Sequence, residues 1–330
     1  MIARLFVGTP FLMVLPDNTT FTVFTYEDDG YEVTVYPPAR SDRPLRVDVP
    51  DKIEIDDKPR FIADSLRIDF KKNTFARETN SKIDPPEEVI RRAIASFLAR
   101  FRYVARGFQI SPIEFPQTDW RLQYLDDDGK ELQETKGLIR ARAALGRSFS
   151  LVALTPEIWG HVHDLPPDWV APRWHDLLLD ATGALPRVGT AIVLAATALE
   201  VFIADVLDSL AKHAQVSQSL WDWLNHRGNW LKDPSTEEQF DFLLSHFTAH
   251  SLKENQALWM AFKNLRTARN TFVHEGAPIV GGTQVTLAEA GQLIARAREI
   301  VDWVRQWLPA DLQWPHVELK TQMRMEMKLL

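Results

Sequence analysis

The apolar residues of this chain change their period once, at a proline-rich stretch running from Pro166 to Pro172, and the change separates two folding problems. Before it, alternation with a period of two predicts strands. Phe21, Val23 and Phe24 interleave with threonines, Asp28, Asp29 and Gly30 have the composition of a hairpin turn, and Tyr31 to Tyr36 alternates cleanly. In residues 1–15 an apolar run broken by Gly8 and Pro10 predicts a buried hairpin rather than a signal peptide, since no small-residue cleavage site precedes Pro16. Strand patterns return at Phe108 to Phe115 and on both sides of a turn at Asp126 to Gly129. One helix interrupts them. Asp84 stands as a capping residue before Pro85, Pro86, Glu87 and Glu88, and Ile90, Ile94, Phe97, Phe101 and Val104 then recur at helical spacing. Residues 1–165 are expected to form an N-terminal α/β domain with a mostly antiparallel sheet.

From Trp174 onward the period is helical. Ile192, Ala195, Leu199, Phe202, Val206 and Leu210 define a long amphipathic helix; further helices are expected from Ser235 to Phe247 and from Leu252 to His274, before Gly276. Thr286 and Glu289 form a capping box ahead of Leu287, Ala290, Ile294, Ala297, Val301, Val304 and Leu308. The expected fold class is α+β: the α/β domain, a Pro-rich linker and short helix over 166–185, an all-α helical bundle over 186–310, and a tail over 311–330. Matched apolar stripes predict that Leu287, Ile294, Val301 and Val304 pack against the helix holding Leu199 and Phe202.

Composition narrows the chemistry. The chain has 330 residues and no cysteine, which removes disulfides, thiolate metal sites and thiol nucleophiles together and fits a cytoplasmic protein. The longest uncharged apolar stretch, Val188 to Leu199, falls short of the roughly 20 residues that span a bilayer, so no membrane partner is expected. A net charge of −7 argues against coating nucleic acid through bulk electrostatics. Any phosphate site must be local.

Such a site is offered between Lys263 and His274. At about 100° per residue, Arg266, Asn270 and His274 share one helical face and Arg269 flanks it. Arginine presents a planar fork of donors to phosphate, asparagine orients by hydrogen bonds, and histidine exchanges protons near neutral pH. The same residues also suit a plainer role, complementing the dipole at a helix C-terminus. Glu200, in the long apolar helix, either pairs with Arg269 or points to solvent at the stripe's edge.

Arg269 and Asn270 followed by three spacers and His274 resembles the signature of the HEPN superfamily, in particular its Apea-like branch, over about residues 186–308. The resemblance takes in the acidic position at Glu200 and the capped helix after Thr286. It implies a metal-independent endoribonuclease, in stress response or anti-phage defence, that acts as a homodimer on RNA and needs no cofactor. Arg269, Asn270 and His274 would be catalytic, Glu200 and Arg266 supporting, and Lys263, Arg266 and Arg269 would contact nucleic acid. The N-terminal domain would serve as sensor or regulator, with a partner of its own. The alternative is a non-catalytic HEPN module that binds nucleic acid, a nucleotide or a protein.

Other patterns carry less. His161 and His163 lack a third ligand at a recognised spacing and are expected in a loop. His246 and His250 are one helical turn apart, but Phe247 stands where a zinc protease needs its glutamate. Gly276 to Thr283 has phosphate-loop spacing without the lysine, and reads as a link between helices. Most of the tryptophans, Trp221, Trp223, Trp230 and Trp259 among them, are expected as core or interface residues rather than as stacking platforms for bases.

Overall fold

A computed structural model describes all residues except 17–20, 39–51, 56–57, 73–83, 138–149, 167–168, 226–232, 318 and 320–330. Trp230 therefore lies outside the described residues, as do most of the tail and part of the Pro-rich stretch. Contacts divide the chain into two units, one running from Met1 to Val170 and rejoined at Val317, the other from Ala171 to His316.

In the first unit β1 (Ile2–Pro16) is the central strand. It is followed by β2 (Phe24–Asp28), β3 (Tyr31–Tyr36), β4 (Lys52–Ile55), β5 (Lys58–Lys71), α1 (Glu87–Ala105), β6 (Trp120–Leu125), β7 (Glu131–Lys136), β8 (Leu151–Ala153) and α2 (Pro156–Asp164). The sheet order is β2-β3-β5-β1-β6-β7, with β4 on β5 and β8 on β1; all these pairs are antiparallel except β1 with β8. The expected hairpin in residues 1–15 is thus a single strand. Gly8 and Pro10 mark a bulge rather than a reversal: the register with β5 shifts between Gly8 and Met13, where Pro10 has no N–H to give the ladder. Thr9 ties the bulge down, its hydroxyl lying 2.6 Å from the Phe11 carbonyl and 3.1 Å from that of Asp64. Across it β1 exchanges its partner β6 for β8.

Strand alternation sends Ala3, Leu5, Val7, Val33, Val35, Leu66, Ile68, Phe70 and Leu122 to one face, where they bury against Ile90, Ile94, Phe97 and Phe101 of α1. Three local expectations are corrected. Asp84 does not cap α1; Pro86 occupies that place without a side-chain bond, and the Asp84 carboxylate accepts from the Tyr31 hydroxyl instead. Phe108 to Phe115 forms no strand: it turns at Phe108 and Gln109, where the Gly107 carbonyl accepts from Ile110 N–H, and then runs on irregularly, with only Ile110 and Phe115 fully buried. His161 and His163 lie on α2, not in a loop: the Thr155 hydroxyl accepts from Ile158 N–H at 3.2 Å and Pro156 begins the helix.

The second unit is helical: α3 (Arg173–Gly183), α4 (Val188–His213), α5 (Gln218–Asn225), α6 (Thr236–Glu238), a π turn (Gln239–Leu243), α7 (Leu244–Thr248), a 3-10 turn (Leu252–Glu254), α8 (Gln256–Glu275), the short pair β9 (Ile279–Val280) and β10 (Thr283–Gln284), and α9 (Leu287–Arg305). α4, α8 and α9 pack on one another, and α3 lies along α4. α4 is long and apolar enough to cross a membrane, but 56% of its most apolar window is buried in the unit, as in a core helix. The expected packing of α9 on α4 is present through Ile294, Val301 and Val304, and the Thr286 box is formed. Leu287 is corrected: it is 56% exposed, because the buried stripe begins at Ala290. His246 and His250 do not share a helix, since α7 ends at Ala249 in the left-handed conformation. His250 instead stacks on Trp307 at 3.6 Å and meets Glu254 at 2.9 Å. Trp221 and Trp259 are buried in the core of this unit, whereas Trp223 is 57% exposed.

The π turn carries Phe240 into the core, 6.4 Å from Phe202 and 5.1 Å from Phe262, and buries Asp241. Burial alone would raise the Asp241 carboxyl, but hydrogen bonds from Lys253 and Ser251 outweigh it and hold the group below the ordinary carboxylate range. A carboxyl depressed in the folded state adds stability above its ordinary value and loses that contribution as pH falls through the depressed one. Asp241→Asn is therefore expected to lower stability at pH 7 and to flatten its acid-side decline. Urea titrations of both proteins between pH 7 and 3 check this; parallel curves would refute it.

Candidate active site on the basic helix

α8 is regular from Gln256 to Glu275, begun by the Asn255 side chain accepting from Leu258 N–H and closed by Gly276 at φ 77°. Leu258, Phe262, Leu265 and Ala268 make its buried face. Phe272 extends that face by lying over Gly189, where a Cβ would come within 2.0 Å of its ring. Arg269 falls on the edge of the same stripe, its Nε buried and without a hydrogen-bond partner. Nη1 donates to the Asn270 Oδ1 at 3.1 Å. This pair braces the guanidinium and leaves the Asn270 amide NH₂ for a ligand.

His274 is exposed and makes no hydrogen bond or ion pair with a described residue. Because the helix is regular, Arg269 and His274 are separated by roughly 140° around its axis, so one chain does not bring both to one cleft. Asn270 lies between them. Lys263 is exposed about two turns before Asn270, and Arg266 is held by Glu237 of α6 at 2.5 Å. Glu237 was not picked out from the sequence, although the Ser235 and Glu238 capping box that fixes its place is readable there.

Glu200 does not pair with Arg269. Gly189 meets Phe272, while Phe202 and Phe262 share Phe240, so α4 and α8 run antiparallel. At 1.5 Å per residue, Glu200 lies about 12 Å along the axis from the level of Arg269. It is half-buried and makes no ion pair with a described residue. Thr271 is the structural member of this turn, its hydroxyl accepting from Ile279 N–H at 2.8 Å and so fixing the β9–β10 link to the end of α8.

No family model, curated protein or solved structure matches the chain. The chemistry of the site rests on these side chains alone. A cavity of about 420 Å³ in the same unit lies toward the far end of α4, lined among others by Asp208, Lys212, Trp221, Asp222 and Asp233. Its acidic lining does not suit phosphate. Among the described residues no group of three or more His, Asp or Glu is placed to hold a metal ion.

Proposed function

We propose that the chain is an endoribonuclease of the HEPN kind that works without a metal, its active site completed between two copies. The observation that carries this reading is the Arg269 and Asn270 pair at 3.1 Å, set one turn before an exposed His274 that bonds to no described residue. Arg269 stabilises charge growing on phosphate oxygens, and His274 moves the proton of an RNA 2′-hydroxyl attacking the adjacent phosphate. Asn270 positions the guanidinium. Lys263 supplies a further charge to the RNA backbone, and Arg266 does so once its surface pair with Glu237, worth about 1 kcal/mol or less, gives way.

The separation of Arg269 and His274 favours a second reading, in which the same face binds RNA without cutting it. Incubation of wild-type protein with mixed single-stranded RNA in the presence of a chelator separates the two. Cleavage with 2′,3′-cyclic phosphate ends is expected, since the 2′-oxygen becomes the nucleophile. RNA that is bound but left intact in both the presence and absence of divalent ions would decide for the binding module.

A further inference from the structure

The sheet of the first unit buries one face against α1 and turns a different chemistry to the other. Directly opposed residues put Tyr36 of β3, Arg67 of β5, Phe6 of β1 and Arg121 of β6 in a single row across four adjacent strands. Rings and guanidinium groups alternate along it. The Arg67 guanidinium carbon sits 3.7 Å from the centre of the Tyr36 ring, and that of Arg121 sits 4.5 Å from the centre of Phe6. In the next row the buried Asp69 carboxylate accepts from Arg67 at 2.8 Å and from Arg4 at 3.0 Å. Gln123 of β6 and Glu134 of β7 continue that row, the Gln123 amide donating to the Glu134 carboxylate at 3.2 Å, so the Arg67 and Arg4 charges are met by carboxylate while that of Arg121 is not.

Arg121 is the decisive residue. It is only 8% exposed, its Nε is buried, and it makes no hydrogen bond or ion pair with a described residue. A guanidinium has five donors, and the buried Nε–H of this one is unsatisfied. Among the described residues no acceptor reaches Arg121, so an anion can supply one. Arg67 and Arg121 lie on strands two spacings apart, about 10 Å, farther than the oxygens of one phosphate extend. The row therefore suits a chain of phosphates, such as a single strand held along a sheet surface presents.

We infer that this face of the sheet, centred on Arg121, Arg67, Phe6 and Tyr36, binds single-stranded RNA. The inference does not depend on cleavage by α8. It gives the first unit a substrate-holding role.

The test uses full-length protein carrying His274→Ala, so that no cleavage consumes the probe, and a fluorescent single-stranded RNA of about a dozen nucleotides followed by anisotropy. Arg121→Gln and Arg67→Gln are each expected to weaken binding about tenfold and to reduce the slope of log K against log salt by about one phosphate contact. A duplex of the same sequence is expected to bind at least tenfold more weakly. Circular dichroism checks that each variant is folded. Arg67, 29% exposed, tolerates glutamine and decides the matter should Arg121→Gln unfold. Parent-like binding by Arg67→Gln, equal affinity for duplex, or binding lost only through Arg269→Ala would overturn the inference while leaving the nuclease reading in place. Conversely, binding that needs Arg67 and Arg121 in a wild-type protein that cuts no RNA would sustain it without that reading.

Discussion

Replacing His274 by alanine is expected to abolish RNA cleavage while leaving the fold intact, and Arg269→Ala is expected to do the same. The two side chains perform separate tasks. Proton transfer by a positioned group typically contributes on the order of a hundredfold or more, and removing a donor from a developing oxyanion costs a similar factor, so losing either one cripples the rate. Stability changes far less. His274 is exposed and bonds to no described residue, and a substitution at such a place typically stays within about 0.5 kcal/mol. Arg269→Lys is expected to fail as well: an ammonium keeps the charge but loses the planar fork, and with it the geometry that the Asn270 bond holds. Asn270→Ala should be milder, since it removes the brace and not the charge. Rates on a labelled RNA, together with thermal melts, check all four. Full activity in His274→Ala would end the proposed chemistry, and activity lost to a chelator would place it elsewhere.

Where the fold was legible in the sequence, one physical rule acted alone. The α9 start could be read because Thr286 and Glu289 satisfy two helix-end donors with no help from the rest of the chain. The turn at Asp29 and Gly30 could be read because their positive φ values are a local demand. Legibility failed where tertiary partners override a local signal. Gly8 and Pro10 look like a chain reversal, yet β5, β6 and β8 pair along β1 on either side of them and make them a bulge. Asp84 looks like a cap, yet Tyr31, remote in sequence, captures its carboxylate.

The site shows the same division. The angular relation of Arg266, Arg269, Asn270 and His274 follows from α8 being regular, and could be drawn from the sequence. That Arg269 leans toward the core, that Glu237 holds Arg266, and that Glu200 stands a dozen ångströms off depend on how α4, α6 and α8 pack. The Arg121 row was invisible for a related reason. Its members come from four strands, and only the register of the sheet brings them side by side.

The angle between Arg269 and His274 leads to the sharpest expectation about assembly. If the reacting phosphate sits between Arg269 of one copy and His274 of another, a two-fold dimer holds two such sites. Arg269→Ala and His274→Ala proteins, each inactive by itself, are then complementary. A mixed dimer assembles one site from the intact His274 of the first chain and the intact Arg269 of the second, while its other site lacks both. Random exchange makes about half of the dimers mixed, each with one working site of two, so activity should recover to about a quarter of wild type. The recovery should need subunit exchange, appearing after mild denaturant or prolonged mixing and saturating near equal ratios. A site contained within one chain predicts no recovery at any ratio. So does a concentration-independent monomer mass by sedimentation, which would remove the dimer and with it this arrangement of the site.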